Sequence, residues 1–432
     1  MKKGMVIILV LWAVAVLSLL AAGLCFALRQ NLAVSNIEND RIIAHQLARA
    51  GVERAIASIM DDARATDSPA DLWYDDPSVF QDIKLTGGTF TVTHYGYDDP
   101  PTVQFGVGDE SAKLNVNIAT RDQMMKLPDM TSPIASAIID WRDPDEQPEP
   151  DGIERGYYAG LAHPYVIRNG PLRTIRELLG VKGIGARLLL GQDADPNDIQ
   201  NSTESYGSLA HGWFPYMTVY SYEKNVNADG QKRLNLKTAD SGTISRRLNL
   251  ESWAADAIVK ARDKNQIKRL VDLLDVRKDT SGSSQTTAGQ DTRVRGDSEK
   301  DQPVTLSIFK SILDDITLKN AEVLPGLINV NTAPLIVVKT LPGLDDELAG
   351  VIVRHREGNK KGFSSIGDLL DISGMTKDKF GQMEDCVTVR SNVFRIKSQG
   401  NASSGLAIAT IECIVDRNGD VPKILYWLES SP

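Results

Sequence analysis

"MVIILVLWAVAVLSLLAAGLCFAL", residues 5–28, runs for 24 residues without a charge. At ~1.5 Å rise per residue, a helix over it is long enough to cross a hydrocarbon core of ~30 Å. A cleavable secretory signal has a shorter apolar core of about 7–15 residues. The next stretch, "RQNLAVSNIENDRIIAHQLARAGVERAIASIMDD" (29–62), has no proline, and the first in the chain is Pro69. Ile37, Ala44, Leu47, Ala48, Val52, Ala55, Ile56 and Ile59 recur near the helical period. The pattern predicts one unbroken helix from Met5 to about Asp62, roughly 87 Å long. Its first half would sit in lipid, and its second half would lay an Ala-rich face on a folded head.

The 432 residues are enough for two to four domains, each with its own core. With 48 basic and 57 acidic residues the net charge is -9, which discourages attraction to a phosphate backbone. Three cysteines, Cys25, Cys386 and Cys413, exclude a disulfide framework or a zinc ribbon. Cys386 and Cys413 are open to pairing in an oxidising compartment, or to burial as small hydrophobes. The five histidines have no HExxH spacing, and neither GxSxG nor a P-loop occurs, so the residues argue against an enzyme.

The body of the chain contains a threefold pattern. "KLNVNIAT" (113–120), "RLNLKTAD" (233–240) and "LINVNTAP" (327–334) align on Asn115, Asn235 and Asn329, with Asn117 and Asn331 completing NxN in the first and third copies. Each first asparagine is followed 27 residues later by an arginine: Arg142, Arg262 and Arg356. "TIRELLGVKGIG", "RLVDLLDV" and "SIGDLLDISGM" then close each copy with an acidic residue before a Leu pair. Each copy reads as an extended start, a short helix, a turn, an amphipathic helix ending near the arginine, and another short helix. Such duplication predicts stacked helical modules. The asparagines suit Asx turns and caps at the strand-to-helix bend. The arginines suit the carbonyls at a helix end.

Strand patterns flank these copies: "GGTFTVTHYGY" and "TVQFGV" before the first, "YMTVYSYE" after it, and "NVFRIKSQ", "LAIATIECIVDR" and "KILYWLES" at the C-terminus. The expectation is that these join one sheet across a long sequence distance. Residues 277–303 hold no large aliphatic or aromatic residue except Val294, which predicts a disordered loop.

"MKKG" before the apolar run, with "QLARAGVERAIASIM" in its continuation, resembles the type IV pilin and pseudopilin families. "KLNVNIAT", "AIIDWRDPDEQPEPDG", "PYVIRNGPL" and "IRELLGVKGI", in that order, look like the minor pseudopilin K family of type II secretion systems. The third copy also resembles the helix-hairpin-helix repeat of competence-type DNA-binding proteins. The pseudopilin resemblance implies removal of a leader after Gly4 by a prepilin peptidase and N-methylation of Met5. It further implies a fifth mature position, here Leu9, that lacks the glutamate most subunits carry. The implied function is a non-enzymatic subunit of the periplasmic pseudopilus tip. It would be anchored in the bacterial inner membrane and partnered with minor pseudopilins I and J and the other pseudopilus and inner-membrane secretion components. The alternative is a membrane-anchored DNA-uptake protein. Against it, only "KGIG" offers the Gly-x-Gly turn that approaches a phosphate, and the charge is acidic.

The implied fold class is α+β: a pilin-like long helix and antiparallel sheet with a large inserted helical region of helix-hairpin-helix or SAM-like repeats. The expected divisions are a leader (1–4), the long helix (5–62), strands (63–111), repeat one with an acidic loop (112–205), a strand and repeat two (206–276), the loop (277–303), repeat three (304–390) and C-terminal strands (391–432).

Repeat one is stretched by "DPDEQPEPDGIERGYYAGLAHPYVIRNGPLRT" (143–174). Asp140, Asp143, Asp145, Glu146, Glu149, Asp151 and Glu154 crowd there among three prolines. No cofactor is required for the implied role. Calcium takes hard oxygen ligands and would relieve the repulsion; calcium binding is also what the family resemblance implies. Asp143, Asp145, Glu149 and Asp151 are the candidate ligands. The competing reading is a solvated loop bridged to Arg142, Arg155 and Arg168.

Overall fold

In the computed structural model, which describes residues 2–62, 65–96, 102–191, 212–278 and 302–430, the apolar run and its continuation form one 60-residue helix, Lys2–Asp61. Ala44, Leu47, Ala48, Val52, Ala55 and Ile59 are buried on one face of it, at helical spacing. Over the uncharged run the described large side chains, from Met5 to Leu28, are exposed, as expected of a surface meant for another apolar medium. The helix ends on Arg417, whose Nη1 donates to the Ile59 carbonyl at 3.3 Å and to Asp62 at 3.1 Å. A cation there complements the negative end of the helix dipole.

Four strands follow: β1 (Ile83–Leu85), β2 (Gly88–Tyr95), β3 (Val103–Gln104) and β4 (Gly108–Asp109). The chain then enters a helical insert in which each repeat is closed by a two-residue parallel pair. β5 (Leu114–Asn115) pairs with β6 (Met217–Thr218) in repeat one. β7 (Tyr222–Lys224) leads on, and β8 (Leu234–Asn235) pairs with β9 (Ile316–Thr317) in repeat two. β10 (Val323–Pro325) returns antiparallel to β7, and β11 (Ile328–Asn329) pairs with β12 (Val387–Thr388) in repeat three. Between each pair lie a short helix, a longer one (Ser132–Arg142, Ser252–Asp263, Asp346–Gly358), a 3-10 turn over the Leu pair, and a last short helix. The three repeats share one hydrophobic core running from Leu114 to Val389.

β13 (Val393–Ala402), β14 (Ile408–Asp416) and β15 (Lys423–Ser430) complete the outer sheet, in the order β1-β2-β13-β14-β15, with β3 on β2 and β4 on β13. β2 and β13 pair antiparallel from Gly88↔Ala402 to Thr93↔Lys397. Phe394 and Arg395 face Asp109 and Gly108, so the insert leaves and rejoins the sheet side by side. The long helix lies on this sheet, and its buried face joins Phe90, Val92, Phe394, Ile396, Ile411 and Cys413 in a second core. Contact is close enough that a Cβ at Gly400 would lie 2.1 Å from the Ala44 carbonyl oxygen. Only glycine fits there.

The α+β class, with a long helix, an antiparallel sheet and an inserted helical region, is as the sequence implied. Two expectations are corrected. "YMTVYSYE" does not join the outer sheet, because Met217–Thr218 closes repeat one and Tyr222–Lys224 pairs with β10. Repeat two does not end at 276. Helix Leu306–Ile312 and β9 lie beyond the 277–303 stretch yet belong to it, since β9 pairs with β8. Of the stretch read as disordered, residues 279–301 lie outside the described residues.

Candidate functional site

The helix Lys2–Asp61 carries Gly4, Met5 and Leu9 in its first turns, with Met5 72% and Leu9 68% exposed. Among the described residues it is the one helix long and apolar enough to cross a membrane. This fits a single-pass anchor.

The repeat residues build a joint that recurs three times. The Oδ1 atoms of Asn115, Asn235 and Asn329 accept from the backbone N–H two residues on, Asn117 (3.0 Å), Lys237 (2.9 Å) and Asn331 (3.0 Å). This is an Asx turn, which bends the strand into the first helix. Each arginine then reaches back into the same turn. Arg142 donates to the carbonyls of Val116 and Ala119 (2.6 Å to the latter), Arg262 to Ala239 at 2.6 Å, and Arg356 to Val330 at 2.6 Å. These carbonyls belong to the asparagine turn rather than to the arginine's own helix, so the fixed spacing records a contact between the two ends of the helical pair. The second asparagine forms a two-way amide clasp. Asn117 accepts from Leu172 N (2.8 Å) and donates to Leu172 O (2.9 Å), and Asn331 does the same with Phe363 (2.8 and 3.0 Å). Repeat two has the exposed Lys237 there, which has no amide to offer.

A second recurring joint has no fixed offset in the sequence. Thr218, Thr317 and Thr388, in the closing strands, accept through Oγ1 from the N–H of Tyr220 (3.1 Å), Lys319 (3.0 Å) and Arg390 (3.1 Å). The acidic residue before each Leu pair caps the 3-10 turn. Glu177, Asp272 and Asp368 accept from the two N–H groups three and four positions earlier.

Repeat three is also bolted to the helix-and-sheet half. The Asn329 amide donates to Asp67 O (3.2 Å), Asp109 Oδ2 (3.2 Å) and Ser391 Oγ (2.9 Å). Asp109 also accepts from Thr332 and Ser391, and Asp67 holds Arg417 through both oxygens at 2.6 and 2.7 Å. Burial pushes the Asp109 carboxyl up, opposed by these donors. Nearby, burial would also raise Glu110, but Arg395 and Lys113 outweigh it and hold Glu110 at about 2.

The acidic loop is drawn into a cluster. Carboxylate oxygens of Asp143, Asp145 and Glu154 lie within 4.8 Å of one another. Asp140 Oδ2, Asp143 Oδ1, both Glu154 oxygens and Asn169 Oδ1 are buried without a hydrogen-bond partner. Burial, together with Asp140, Asp143 and Glu146, pushes Glu154 up to about 7, and burial with like charges also raises Asp140 and Asp143. Oxygen acceptors facing one another without donors fit a hard cation. The ligands anticipated from sequence are only partly gathered. Asp143 and Asp145 belong to the cluster. Asp151 instead accepts from Ser132 at 3.0 Å, and Glu149 donates its backbone N–H to Asp140 Oδ1 at 2.8 Å while its carboxylate acts on Asp140 and Asp143 as a nearby charge. Glu154 and Asp140 belong to the acidic stretch but not to the four ligands expected from sequence. Asp140 had a signal, a carboxylate on the buried face of an apolar helix beside Ser136 and Trp141. The arginines of the solvated-loop reading are mostly engaged elsewhere, with Arg168 on Glu177 and Arg142 on the Asx turn. Arg155 does meet Glu146, at 3.0 Å. Cys386 and Cys413 are both free, one packed against each core.

Residues 112–190 match the family model of type II secretion system protein K, and residues 326–388 match a helix-hairpin-helix motif. No curated protein matches the chain. Among solved structures, a chain of the GspK-GspI-GspJ complex from the enterotoxigenic Escherichia coli type 2 secretion system is similar. The identity is 13%, the match covers 93% of this chain and 98% of that one, and the TM-score is 0.48. The protein K match falls on repeat one and its acidic loop, the stretch that carried the resemblance to minor pseudopilin K.

Proposed function

We infer that this chain is a non-enzymatic minor pseudopilin of the K type, seated at the tip of a type II secretion pseudopilus and helping to initiate its assembly. The observation that carries this reading is the protein K match over 112–190 in a chain whose first 60-residue helix begins with an apolar run. In this reading prepilin peptidase cuts after Gly4, Met5 is N-methylated, and residues 5–28 stay in the inner membrane with the head in the periplasm. Minor pseudopilins I and J are the partners. Leu9 supports an end position, because a carboxylate at that depth is costly in lipid unless a neighbour's amino terminus pairs with it.

The DNA-uptake reading is less favoured. Asp345, Asp346 and Glu347 crowd the start of the helix after the repeat-three hairpin, where a phosphate would otherwise be drawn to the helix dipole. Lys126 of repeat one donates to the Leu341 and Leu344 carbonyls of that hairpin at 3.0 and 3.4 Å, engaging it within the protein.

Calcium is proposed as a structural ion held by Asp140, Asp143, Asp145 and Glu154. When bound it would neutralise the cluster and tie the loop to the end of helix Ser132–Arg142. The experiment is co-expression of the full chain with pseudopilins I and J, purification in detergent, and intact mass of the N-terminus. Co-purification and a methylated Met5 are expected, and a terminus after Ala27 overturns the pseudopilin reading. Isothermal titration with calcium, repeated on Asp143→Ala and Glu154→Gln, checks the ion; no heat from the unsubstituted chain ends that part alone.

A further inference from the structure

Helix Arg155–Ala159, inside the stretch that lengthens repeat one, has little of its own to hold it as a helix. It is five residues long, and an isolated helix of that length does not persist in water. Gly156 stands inside it, a residue less favourable there than alanine. A Cβ at Gly156 would meet nothing within 4 Å, so packing does not call for the glycine. The N-cap residue, Glu154, makes no capping bond with its side chain. The order of this helix therefore rests on what its side chains reach outside it.

Its head reaches the acidic cluster. Both Glu154 side-chain oxygens are buried without a hydrogen-bond partner, and the carboxylate lies within 4.8 Å of those of Asp143 and Asp145. Without a cation the three repel one another. Arg155 pairs with Glu146 at 3.0 Å, but that pair is exposed and contributes little. Asp140 and Asp143 belong to the 11-residue helix Ser132–Arg142 and its C-cap. A cation shared by them and Glu154 ties the weak helix to the strong one.

Its other side chains reach a turn. Tyr158 is fully buried against Trp141, with ring centroids 5.3 Å apart, and its hydroxyl oxygen accepts from Lys182 N at 3.3 Å. Tyr157 is 40% exposed, and Lys182 Nζ lies over its ring, 4.3 Å from the centroid. Lys182 opens the turn Lys182–Gly185, where Gly183 has a φ of +86°, a conformation that favours glycine. Both contacts from the helix thus fall on one residue of that turn. The five residues between the carboxylates and Lys182 are the weakest element in the joint, and the cation holds their free end.

We propose that cation binding at Asp140, Asp143, Asp145 and Glu154 is coupled, through helix Arg155–Ala159, to the order of the Lys182–Gly185 turn. Calcium then regulates one face of repeat one, fixing Tyr157 and Lys182 when bound and releasing them when removed. This rests on the calcium reading given above and adds the coupling to it. A ligand that binds only the ordered form shifts the local equilibrium toward order, and order in turn strengthens binding.

The test is hydrogen exchange of the full chain in detergent micelles, with and without calcium, once calorimetric titration has given the dissociation constant. At free calcium about ten times that constant, the amides of 180–185 should exchange roughly three- to tenfold more slowly, the upper figure being the mass-action limit for a site that only the ordered helix offers. The Leu341–Leu344 turn of repeat three is the control and should not change. Tyr157→Ala with Tyr158→Phe removes both contacts to Lys182 while keeping the buried ring. That chain should still bind calcium and show less than about a twofold change at 180–185. If the two substitutions together abolish binding, Tyr158→Phe alone decides. No heat from the unsubstituted chain overturns the calcium reading and the coupling with it. Heat with a slowing under about threefold at 180–185, an equal slowing in the repeat-three turn, or a response that the substitutions leave intact overturns the coupling alone.

Discussion

Repeats two and three share a motif, a spacing and a turn, and still do different work. In repeat three Asn329 and Asn331 are fully buried and Arg356 is 2% exposed, and the Asn329 amide crosses to Asp67, Asp109 and Ser391 in the other half of the molecule. In repeat two Asn235 is half-buried, Lys237 replaces the second asparagine, and Arg262 holds its own turn and the adjacent Asp263. The difference teaches that duplication keeps the local joint, while the surroundings decide whether that joint also carries load. Repeat three is the keystone because its strand β11 lies where the insert returns to the sheet, with Asn329 N donating to Ser111 O at 2.8 Å.

The comparison can be broken most forcefully at the asparagines. Asn329→Ala removes an amide that donates to three buried acceptors at once, with an expected loss of about 3 kcal/mol. Asn235→Ala, losing one Asx bond at a half-exposed site, is expected to cost under about 1 kcal/mol. Urea unfolding of the full chain in detergent micelles measures both, and equal costs would remove the keystone role. Calorimetry adds a sharper sign: Asn329→Ala should separate the insert from the helix and sheet into two transitions.

The clasp gives the middle effect. Asn331→Lys, which writes repeat two's residue into repeat three, should cost about 2 kcal/mol by leaving the Phe363 backbone groups unpaired in a buried place. Lys237→Asn should change stability by less than about 0.5 kcal/mol. A tolerated Asn331→Lys would show that burial around Phe363 admits water.

A pH slope at the contact between the two repeats tests the comparison by titration rather than by removing a side chain. Glu384 of repeat three accepts from Leu270 N (2.5 Å) and Val271 N (3.0 Å) at the start of repeat two's 3-10 turn, and burial pushes it up to about 7. The native state therefore holds a proton that the unfolded chain, with an ordinary value near 4.5, has released. Stability from this group is full below about pH 4.5 and falls as pH rises to about 7, then levels. Glu384→Gln should be nearly neutral at pH 5, raise stability at pH 8, and flatten the slope between; an unchanged slope would assign it to other groups.

The long helix was legible because its signals are local: no proline for over sixty residues and apolar spacing that survives any context. The asparagine-to-arginine register was legible because both partners lie inside one unbroken helical pair, where an insertion would break the contact. The threonine of each closing strand was not. Thr218, Thr317 and Thr388 stand at unequal distances from their asparagines, since the acidic loop and other insertions fall between, and a two-residue strand has no periodicity to read. The acidic loop was legible as a cluster but not as a ligand set. Its prolines and the turn at Asp151 decide which carboxylates face inward, so Glu154 joins Asp143 and Asp145 while Asp151 leaves for Ser132.

By itself the sequence determined the anchor-length helix, the three repeats and the joint each is built on, because those depend on spacing within short segments. Only the tertiary structure decided which repeat is bolted to the sheet and which carboxylates meet. Those outcomes depend on what distant segments bring to each side chain, Asp67 and Ser391 to Asn329 above all, and no local pattern encodes that meeting.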